Sequence, residues 1–490
     1  MAKKKRIHQI VLWIFLCAYL LVFGKVLFGD VIHHNNTIIL LLYLIAGAAI
    51  VTISYFLLNK YDKVIKRYYS VILIGFVGIY GAVILINGFR LRFTPAFDMD
   101  AVYGGAIQWL TEGSFPDYYE YFGYFPNNLG AMTVLHFVFL IASVFGVRDF
   151  FAAGIVFNTL LIAATIAVVS LTCRKLKDEI AGTAALVFFA LCVPFSMMGA
   201  AFYTDSLSLL FPVLFYYVYL HFKEQRNWKR RIAFSTAMAF ALTVGMLIKF
   251  TVLIVLIAVA IDAVLSINWK EVCLLAGWAL LVVFVVFGIM NAYMYSVHLD
   301  KDTCKQLKTP YLHWVMMGMQ NNGYYNPGDY EFTRSLAPEE RNEACLSKIM
   351  ERMEEMKFSG LTDLWMRKAV VCFGDGTFAL SDFLDDTPAK EVWLHQYVLY
   401  AGEKYSTYRH FTTGMLLVVY FFMLVGAAGD LREKERKQGC VLAPRLACLG
   451  ILAFLLLWET SGRYFTNYIP FMLICAVLSL EWKNGGRRNV

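Results

Sequence analysis

The chain has 490 residues, of which 59% are hydrophobic and only 16% are charged. Soluble domains usually contain about 45–50% apolar and about 25% charged residues, so these proportions exclude an ordinary water-soluble fold. The net charge of +8 does not indicate a nucleic-acid partner, because the basic residues lie in short segments between apolar runs, where they orient membrane proteins. We expect an all-α polytopic protein that crosses the cell membrane many times and contacts its lipids.

The chain begins with MAKKKRIHQIVLWIFLCAYLLVF, a basic segment followed by a long apolar run. No small-residue cleavage site follows that run, so we predict a retained first helix rather than a signal peptide. A transmembrane helix needs about 20 mainly apolar residues. Twelve stretches meet this requirement: 8–28, 37–58, 70–89, 150–172, 180–198, 203–221, 232–248, 250–267, 272–297, 411–429, 443–459 and 463–481.

The basic residues predict how these spans are oriented, because Lys and Arg concentrate on the cytoplasmic side. The clusters at 3–6 and 60–67 place the N-terminus and the second connection inside. A further apolar stretch, 129–146, would reverse the orientation of everything that follows if it also crossed, so we predict an interfacial helix on the outer face. With twelve spans, four later basic clusters lie inside: 174–177, 223–231, 432–437 and 487–488.

This topology leaves two long outer segments, and the second is far too long for a simple connector. It contains amphipathic helical sequence at 338–358, and its Cys304 and Cys345 could form a disulfide if the segment is extracytoplasmic. The five expected regions are N-terminal transmembrane helices (1–89), a first outer loop with an acidic motif and the interfacial helix (90–149), central transmembrane helices (150–297), a large outer loop (298–410) and C-terminal transmembrane helices (411–490).

The first outer segment contains FDMDAVYGGAIQWLTEG followed by YFPNNLG. Asp98 and Asp100 come directly after a span, and they are either ordinary solvated acids or include a general base for a hydroxyl group. Asn127 and Asn128 either cap the helix that follows or lie beside free helix N–H groups that bind an anion.

Further charged residues fall at the outer ends of later spans. Asp205 in FYTDSL is either an N-terminal acid favoured by the helix dipole or an acid that faces a cation. Lys249 either snorkels to the membrane surface or binds a phosphate. In ETSGRYFTNYIP, next to Tyr464, Arg463 either pairs with Glu459 or binds a phosphate through its planar guanidinium.

The large outer loop opens with TPYLHWVMMGMQNNGYYNPGDY, which contains His313 and Trp314. This cluster of aromatic and amide residues suits either a sugar-binding surface or an ordinary interfacial aromatic belt. Lys368 and Asp375 follow in WMRKAVVCFGDGTF. No ligand spacing indicates a metal, so no cofactor is predicted, although a divalent cation could bind the loop acids. All these clusters lie at outer ends of spans, which predicts one site at the outer membrane surface.

Taken in order, FDMDAVYGGAIQWLTEG, YFPNNLG, YTDSL, LIKFT, PYLHWVMMGM with NNGYY, and ETSGRYFTNYIP resemble the GT-C superfamily of membrane glycosyltransferases. The likeness is to bacterial members of the protein-mannosyltransferase-like (family 39) group, and it extends over residues 70–481. It implies a GT-C-like fold, a polyprenyl-phosphate sugar as donor, and an acid of the first outer loop as base. That acid corresponds to Asp98, with Asp100 in reserve, because the family's usual Asp-Glu pair is Asp-Met-Asp here. The two N-terminal spans are additional to the family's usual arrangement.

The expected function is therefore transfer of a monosaccharide from a polyprenyl-phosphate donor to a hydroxyl of a cell-envelope glycan, lipid or protein. Asp98 would deprotonate the acceptor, supported by Asp100, while fixed cations stabilise the leaving phosphate. The expected substrate-binding residues are Arg463, Lys249, Asp205, His313, Trp314, Asn127 and Tyr464.

Two alternatives remain open, a lipid-linked glycan flippase or transporter and a glycan polymerase. A polymerase would share most of the site. A flippase needs polar residues along the membrane interior. Asp262 is the clearest charge within a span, and it lies towards the predicted inner end. The sequence also shows no internal repeat and no matching pair of broken helices, which disfavours a transporter.

Overall fold

The computed structural model describes residues 2–29, 32–384, 388, 390–432 and 441–480. Within these residues the regular structure consists of helices, and no strand is present. Nine of the described helices are long and apolar enough to cross a membrane. Helices satisfy their own backbone hydrogen bonds, which is what a chain in lipid requires. The predicted all-α membrane fold is confirmed.

The N-terminal part of the chain forms three long helices and three shorter ones. α2 begins after Asn36, whose side chain accepts hydrogen bonds from the backbone of Ile38 and Ile39. α4 ends at Gly113, which adopts the left-handed conformation common at helix C-termini, with φ of 77°. The helices are α1 (Ala2–Phe28), α2 (Thr37–Lys60), α3 (Asp62–Arg90), α4 (Phe97–Glu112), α5 (Tyr119–Tyr124) and α6 (Leu129–Val144).

The central part continues the bundle. α7 begins after Asp149, whose carboxylate accepts a hydrogen bond from the backbone of Ala152 and pairs with Arg92 at 2.7 Å. α8 ends at Leu191, because Cys192 leaves helical geometry with ψ of 65° just before the short helix that begins at Pro194. The helices are α7 (Phe150–Leu176), α8 (Glu179–Leu191), α9 (Pro194–Met197), α10 (Thr204–Leu207), α11 (Leu210–Glu224), α12 (Trp228–Ile248), α13 (Leu253–Ser266) and α14 (Trp269–Val297).

The segment predicted as a large outer loop is mostly helical and has a small core of its own. Its amphipathic stretch is confirmed as part of a helix that begins at Arg341 and bends at Lys357. Arg352 donates hydrogen bonds of 2.6 and 2.9 Å to the two carboxylate oxygens of Asp329. The helices are α15 (Lys301–Leu307), α16 (Tyr311–Gly318), α17 (Pro327–Ser335), α18 (Arg341–Phe373) and α19 (His395–Val398). The core consists of Met316, Met319, Cys345, Ile349 and Leu364.

Cys304 and Cys345 do not form the disulfide that the sequence left open, because both thiols are free. The two cysteines belong to different clusters: Cys304 is buried in the main core of the bundle, and Cys345 in the small core. The Cys345 sulfur lies 3.7 Å from the hydroxyl of Thr333.

The last three helices complete the bundle, and α20 packs against α1, α2 and α22. The basic residues at 433–437 and 487–488, which entered the orientation argument, lie outside the described residues. The membrane orientation therefore stays a prediction. The helices are α20 (Tyr405–Arg432), α21 (Leu442–Leu457) and α22 (Ile469–Leu478).

The predicted count of twelve spans is not confirmed. The segment Pro126–Val144, which ends with α6, has the length and apolar composition of a span, whereas we predicted an interfacial helix at 129–146. Conversely, four predicted spans contain apolar helices of only 10–17 residues. These are the spans at 180–198, 250–267, 443–459 and 463–481.

Candidate functional site

A cavity of about 740 Å³ lies where the ends of several helices meet. Segments far apart in sequence build its wall: the α1–α2 connection, the start of α4, the segment after α18, the start of α20 and the α21–α22 connection. This volume falls within the range of about 300–1,000 Å³ typical of small-molecule sites. Three of the predicted site residues line it, namely Asp98, Arg463 and Tyr464.

Asp98 stands in the first turn of α4, directly after a strained residue. Phe97 has φ of 50°, a left-handed conformation that is unusual for a bulky residue, and its side chain is 93% exposed. Strained residues of this kind cluster at ligand-binding sites. The Tyr121 hydroxyl donates a hydrogen bond of 2.8 Å to Oδ1 of Asp98, which fixes the direction of the carboxylate.

A chain of hydrogen bonds extends behind Tyr121. Asn128 Nδ2 donates to the Tyr121 hydroxyl at 2.6 Å, and Asn127 Nδ2 donates to Asn128 Oδ1 at 3.2 Å. Asn128 therefore does not cap α6 with its side chain, contrary to the capping interpretation. Asn127 lies outside the cavity wall, and it acts on Asp98 only through this chain.

Asp100 does not line the cavity, although it is only two residues from Asp98. An α-helix turns by about 100° per residue, so the two side chains project about 200° apart around α4. Asp100 is half-buried, and burial raises the pKa of its carboxyl group. Of the two acids, Asp98 is therefore the one placed to act on a molecule in the cavity.

Asp205 joins two cations next to the cavity. Its carboxylate is buried, pairs with the ammonium of Lys249, and lies 3.8 Å from Nε of Arg463. Oδ2 of Asp205 accepts no hydrogen bond. The nearby guanidinium of Arg463 therefore interacts with this oxygen through charge alone. The Lys249 ammonium also lies 5.1 Å from the ring of Tyr464. Lys249 does not line the cavity, and its charge is directed at Asp205.

Aromatic rings hold the Arg463 guanidinium in the wall of the cavity. It lies 5.3 Å from the ring of Tyr203, 5.1 Å from that of Phe383 and 5.4 Å from that of Tyr464. The ion-pair partner of Arg463 is Asp205, not Glu459 as the structural alternative would require. A guanidinium surrounded by rings in this way is held in place while its charge remains available to a ligand.

Glu459 also lines the cavity, close enough to Asp98 and Arg463 to interact with both charges. Burial raises the pKa of Glu459 to about 7, although the Arg463 guanidinium and a hydrogen bond with Tyr464 oppose the shift. A carboxyl group with such a pKa can accept or release a proton near neutral pH.

The sequence GDG after α18 makes a tight turn against the α21–α22 connection. The carboxylate of Asp375 accepts hydrogen bonds from the backbone and hydroxyl of Thr377 at 2.9 and 2.6 Å and from the backbone of Ala379 at 2.8 Å. A Cβ on Gly462 would lie 2.6 Å from Oδ2 of Asp375, so only glycine permits this approach. Asp375 therefore shapes the wall and has little capacity left for a ligand.

His313 and Trp314 lie outside the cavity wall. His313 is buried, its Nδ1 lies 2.8 Å from the hydroxyl of Thr333, and burial lowers its pKa to about 4. Trp314 stacks on Trp458 with ring centroids 5.5 Å apart. Trp458 directly precedes Glu459, so Trp314 supports the cavity from behind, and His313 stabilises the small core.

Lys368 joins the large helical segment to the α21–α22 connection. Its buried ammonium donates hydrogen bonds of 2.8 Å to the carbonyl of Gly318 and 2.7 Å to the carbonyl of Trp458. Burial lowers the pKa of Lys368 to about 8. The contact fixes the backbone that carries Glu459.

Several cavity residues were not identified from the sequence. They stand in stretches without a motif, and only the fold brings them to the cavity. Within the described residues, no group of three or more His, Cys, Asp or Glu side chains is arranged to hold a metal ion. The residues missed were His33, Asp382, Tyr400, Tyr405 and Arg409.

The apolar helices and the polar cavity at their ends define an integral membrane protein. The chain belongs to the family described as "Conserved hypothetical integral membrane protein", which it matches over residues 1–484. No curated protein matches the chain in sequence. The family description supports the membrane assignment and names no activity.

Proposed function

We propose that the chain is a glycosyltransferase of the GT-C type at the extracytoplasmic face of the cell membrane. Its donor is a polyprenyl-phosphate-linked monosaccharide, and its acceptor is a hydroxyl group of a cell-envelope molecule. The observation that carries the proposal is that Asp98 and Arg463, a base and a cation, line the same cavity beside apolar helices. A lipid-linked sugar requires this combination of a polar chamber and an adjoining lipid-soluble surface.

Asp98 is the proposed base. Tyr121 occupies its Oδ1, so its second oxygen accepts the proton of the acceptor hydroxyl. The acceptor oxygen forms a bond to the anomeric carbon as the bond from that carbon to the phosphate oxygen breaks. The reaction inverts the anomeric centre, and the polyprenyl phosphate leaves with the bonding electron pair.

Arg463 is the proposed partner of that phosphate. A fixed cation stabilises the negative charge that develops on a leaving group in a partly dehydrated site. Asp205 and the surrounding rings hold the guanidinium in place, and Lys249 compensates the charge of Asp205. Lys249 therefore supports Arg463 indirectly in this mechanism.

The charges buried within the bundle favour an enzyme over a flippase. Asp262 accepts hydrogen bonds from Tyr219 at 2.6 Å and Lys223 at 2.9 Å. Asp430 pairs with Arg445 at 2.5 Å. Because these groups pair with one another, they suit fixed structural pairs better than a polar path for a moving substrate.

The test begins with mass spectrometry of wall polymers and secreted proteins from cells with and without the gene, which identifies the sugar. The purified protein is then reconstituted with the corresponding radiolabelled polyprenyl-phosphate sugar and the acceptor from the deletion strain. We expect transfer of label by wild type and strong impairment in Arg463→Lys, which retains charge but lacks the planar fork. If wild type instead moves the labelled lipid across the vesicle without sugar transfer, the chain is a flippase.

A further inference from the structure

Arg409 is a cation of the cavity wall that the proposed mechanism does not use. It lies on the first part of α20, and its guanidinium is 5.6 Å from the ring of Tyr405. Its Nε is buried and makes no hydrogen bond. Among the residues that the structure describes, Arg409 has no carboxylate within the 4.0 Å of an ion pair. A guanidinium that lines a cavity without an ion pair can bind an anionic group there.

None of the described acids of the cavity wall forms an ion pair with Arg409. These acids are Asp98, Asp375, Asp382 and Glu459. Asp98 accepts a hydrogen bond from Tyr121, and Asp375 accepts three from its own turn. Asp382 accepts one from the hydroxyl of Tyr400 at 2.5 Å. The guanidinium of Arg409 is therefore available to a group that enters the cavity.

Arg409 and Arg463 belong to different surroundings within the cavity. Charge interactions link Arg463 to Asp205 and Asp98, whereas Arg409 interacts with Tyr405, which Asp375 and Asp382 also reach. The start of α20 adds the positive end of a helix dipole on the side of Arg409. A volume of about 740 Å³ has room for more than a sugar phosphate.

We propose that the cavity binds two anionic groups and that Arg409 receives the second, an acid group carried by the acceptor. This inference rests on the proposed function, in which Arg463 binds the phosphate of the donor. The acceptor is accordingly an anionic envelope molecule, with a phosphate or carboxylate near the hydroxyl that takes the sugar. The fork of the guanidinium suits either oxyanion through paired hydrogen bonds.

Direct binding measurements test the inference without requiring turnover. The full-length protein in nanodiscs is titrated with sn-glycerol 3-phosphate, a mimic of an acidic acceptor, and separately with farnesyl phosphate, a mimic of the donor lipid. We expect Arg409→Gln to weaken glycerol phosphate binding by about 10- to 100-fold, the loss typical of a charged hydrogen bond, and to leave farnesyl phosphate binding unchanged. Arg463→Gln should do the reverse. Lys404→Gln, an exposed cation nearby, is the matched control and should change neither.

The other possible results of these binding measurements either support the assignment of Arg409 or overturn it. If Arg409→Gln weakens farnesyl phosphate and not glycerol phosphate, both arginines serve the donor and the acceptor assignment is overturned. Failure of wild type to bind glycerol phosphate, or equal binding by wild type and Arg409→Gln, overturns it too. Should Arg409→Gln not fold, Arg409→Lys keeps the charge, and an intermediate loss of glycerol phosphate binding supports the inference. Absence of sugar transfer by wild type would refute the proposed function, while these binding results would still decide whether Arg409 binds an anion.

Discussion

Tyr121, which lies in α5, donates a 2.8 Å hydrogen bond to Asp98, 23 residues earlier in the chain. The same hydroxyl accepts a 2.6 Å hydrogen bond from Asn128. Tyr121 therefore has its proton directed at Asp98 and cannot easily rotate away. One oxygen of the carboxylate is oriented by the fold, and the other remains for a molecule in the cavity.

Removing this hydroxyl should slow the reaction without weakening donor binding. We expect Tyr121→Phe to lower kcat by about tenfold, because a hydrogen bond to a charged group contributes about 1.5–3 kcal/mol and only part of it acts on the rate. The KM for the donor should stay within about twofold. Tyr118→Phe, outside the cavity wall, is the control. An unchanged kcat in Tyr121→Phe would show that Asp98 does not depend on this contact.

The helices could be predicted from the sequence because long apolar runs leave the backbone no alternative in lipid. Their lengths could not always be predicted. Hydropathy does not reveal that α8 stops before Pro194, nor that α21 ends at Leu457 so that Glu459 reaches the cavity. The prediction of an interfacial helix at 129–146 was based on loop charges. Such charges indicate orientation but not helix length, and Pro126–Val144 is long enough for a span.

The residues of the candidate site could be predicted where they are charged residues at the ends of apolar helices. Asp98 and Arg463 stand out because charged residues beside apolar runs require a partner or water. Arg409 was missed because it stands at the beginning of an apolar helix without a motif around it. His313 was taken for a surface residue, since only tertiary packing decides that it is buried against Thr333.

The buried Asp205 should matter far more for stability than a surface acid. Removing one partner of a buried pair leaves an uncompensated charge, so Asp205→Ala should lower the free energy of unfolding by about 3–5 kcal/mol. Asp149→Ala is the control, because the pair between Asp149 and Arg92 is largely exposed. Loss of that pair should lower the free energy of unfolding by about 1 kcal/mol, and loss of the helix cap should lower it further. Thermal unfolding in detergent measures both. Equal losses in the two variants would contradict the buried-pair interpretation.

Gly462 should not tolerate a methyl group. A Cβ there would lie 2.6 Å from Oδ2 of Asp375, so Gly462→Ala should lower stability by about 1–3 kcal/mol through overpacking. It should also reduce transfer, because the connection carries Arg463. Gly78→Ala is the matched control, since nothing lies within 4 Å of its Cβ position. That substitution should be neutral or slightly stabilising, because alanine favours a helix. If both variants unfold at the same temperature as wild type, the close approach is not required.

His313 should make the large helical segment sensitive to acid. Burial lowers its pKa to about 4, so the unfolded chain binds a proton near pH 6.5 while the folded chain does not. Stability is therefore retained above pH 6.5 and lost as the pH falls towards 4. Between pH 7 and 5 this amounts to about 2 kcal/mol. His313→Gln should flatten the dependence, measured by unfolding at the two pH values. An equally steep dependence in the variant would assign the effect to another group.

The most direct test of the mechanism compares two acids that differ in position but not in chemistry. Asp98 lines the cavity, whereas Asp100 projects from another side of α4. An alcohol is a poor nucleophile near neutral pH, so loss of its base lowers the rate by about 10²–10⁴. Asp98→Asn is nearly isosteric and should retain expression and farnesyl phosphate binding while turnover collapses by that factor.

Asp100→Asn is the matched control for this variant, and it should retain most of the activity. Transfer from the labelled polyprenyl-phosphate sugar is measured with each purified protein under single-turnover conditions, so that product release does not mask the chemical step. A normal rate in Asp98→Asn with a collapsed rate in Asp100→Asn would exchange the two roles. Full activity in both variants would show that neither Asp98 nor Asp100 takes the acceptor proton, which would overturn the proposed mechanism.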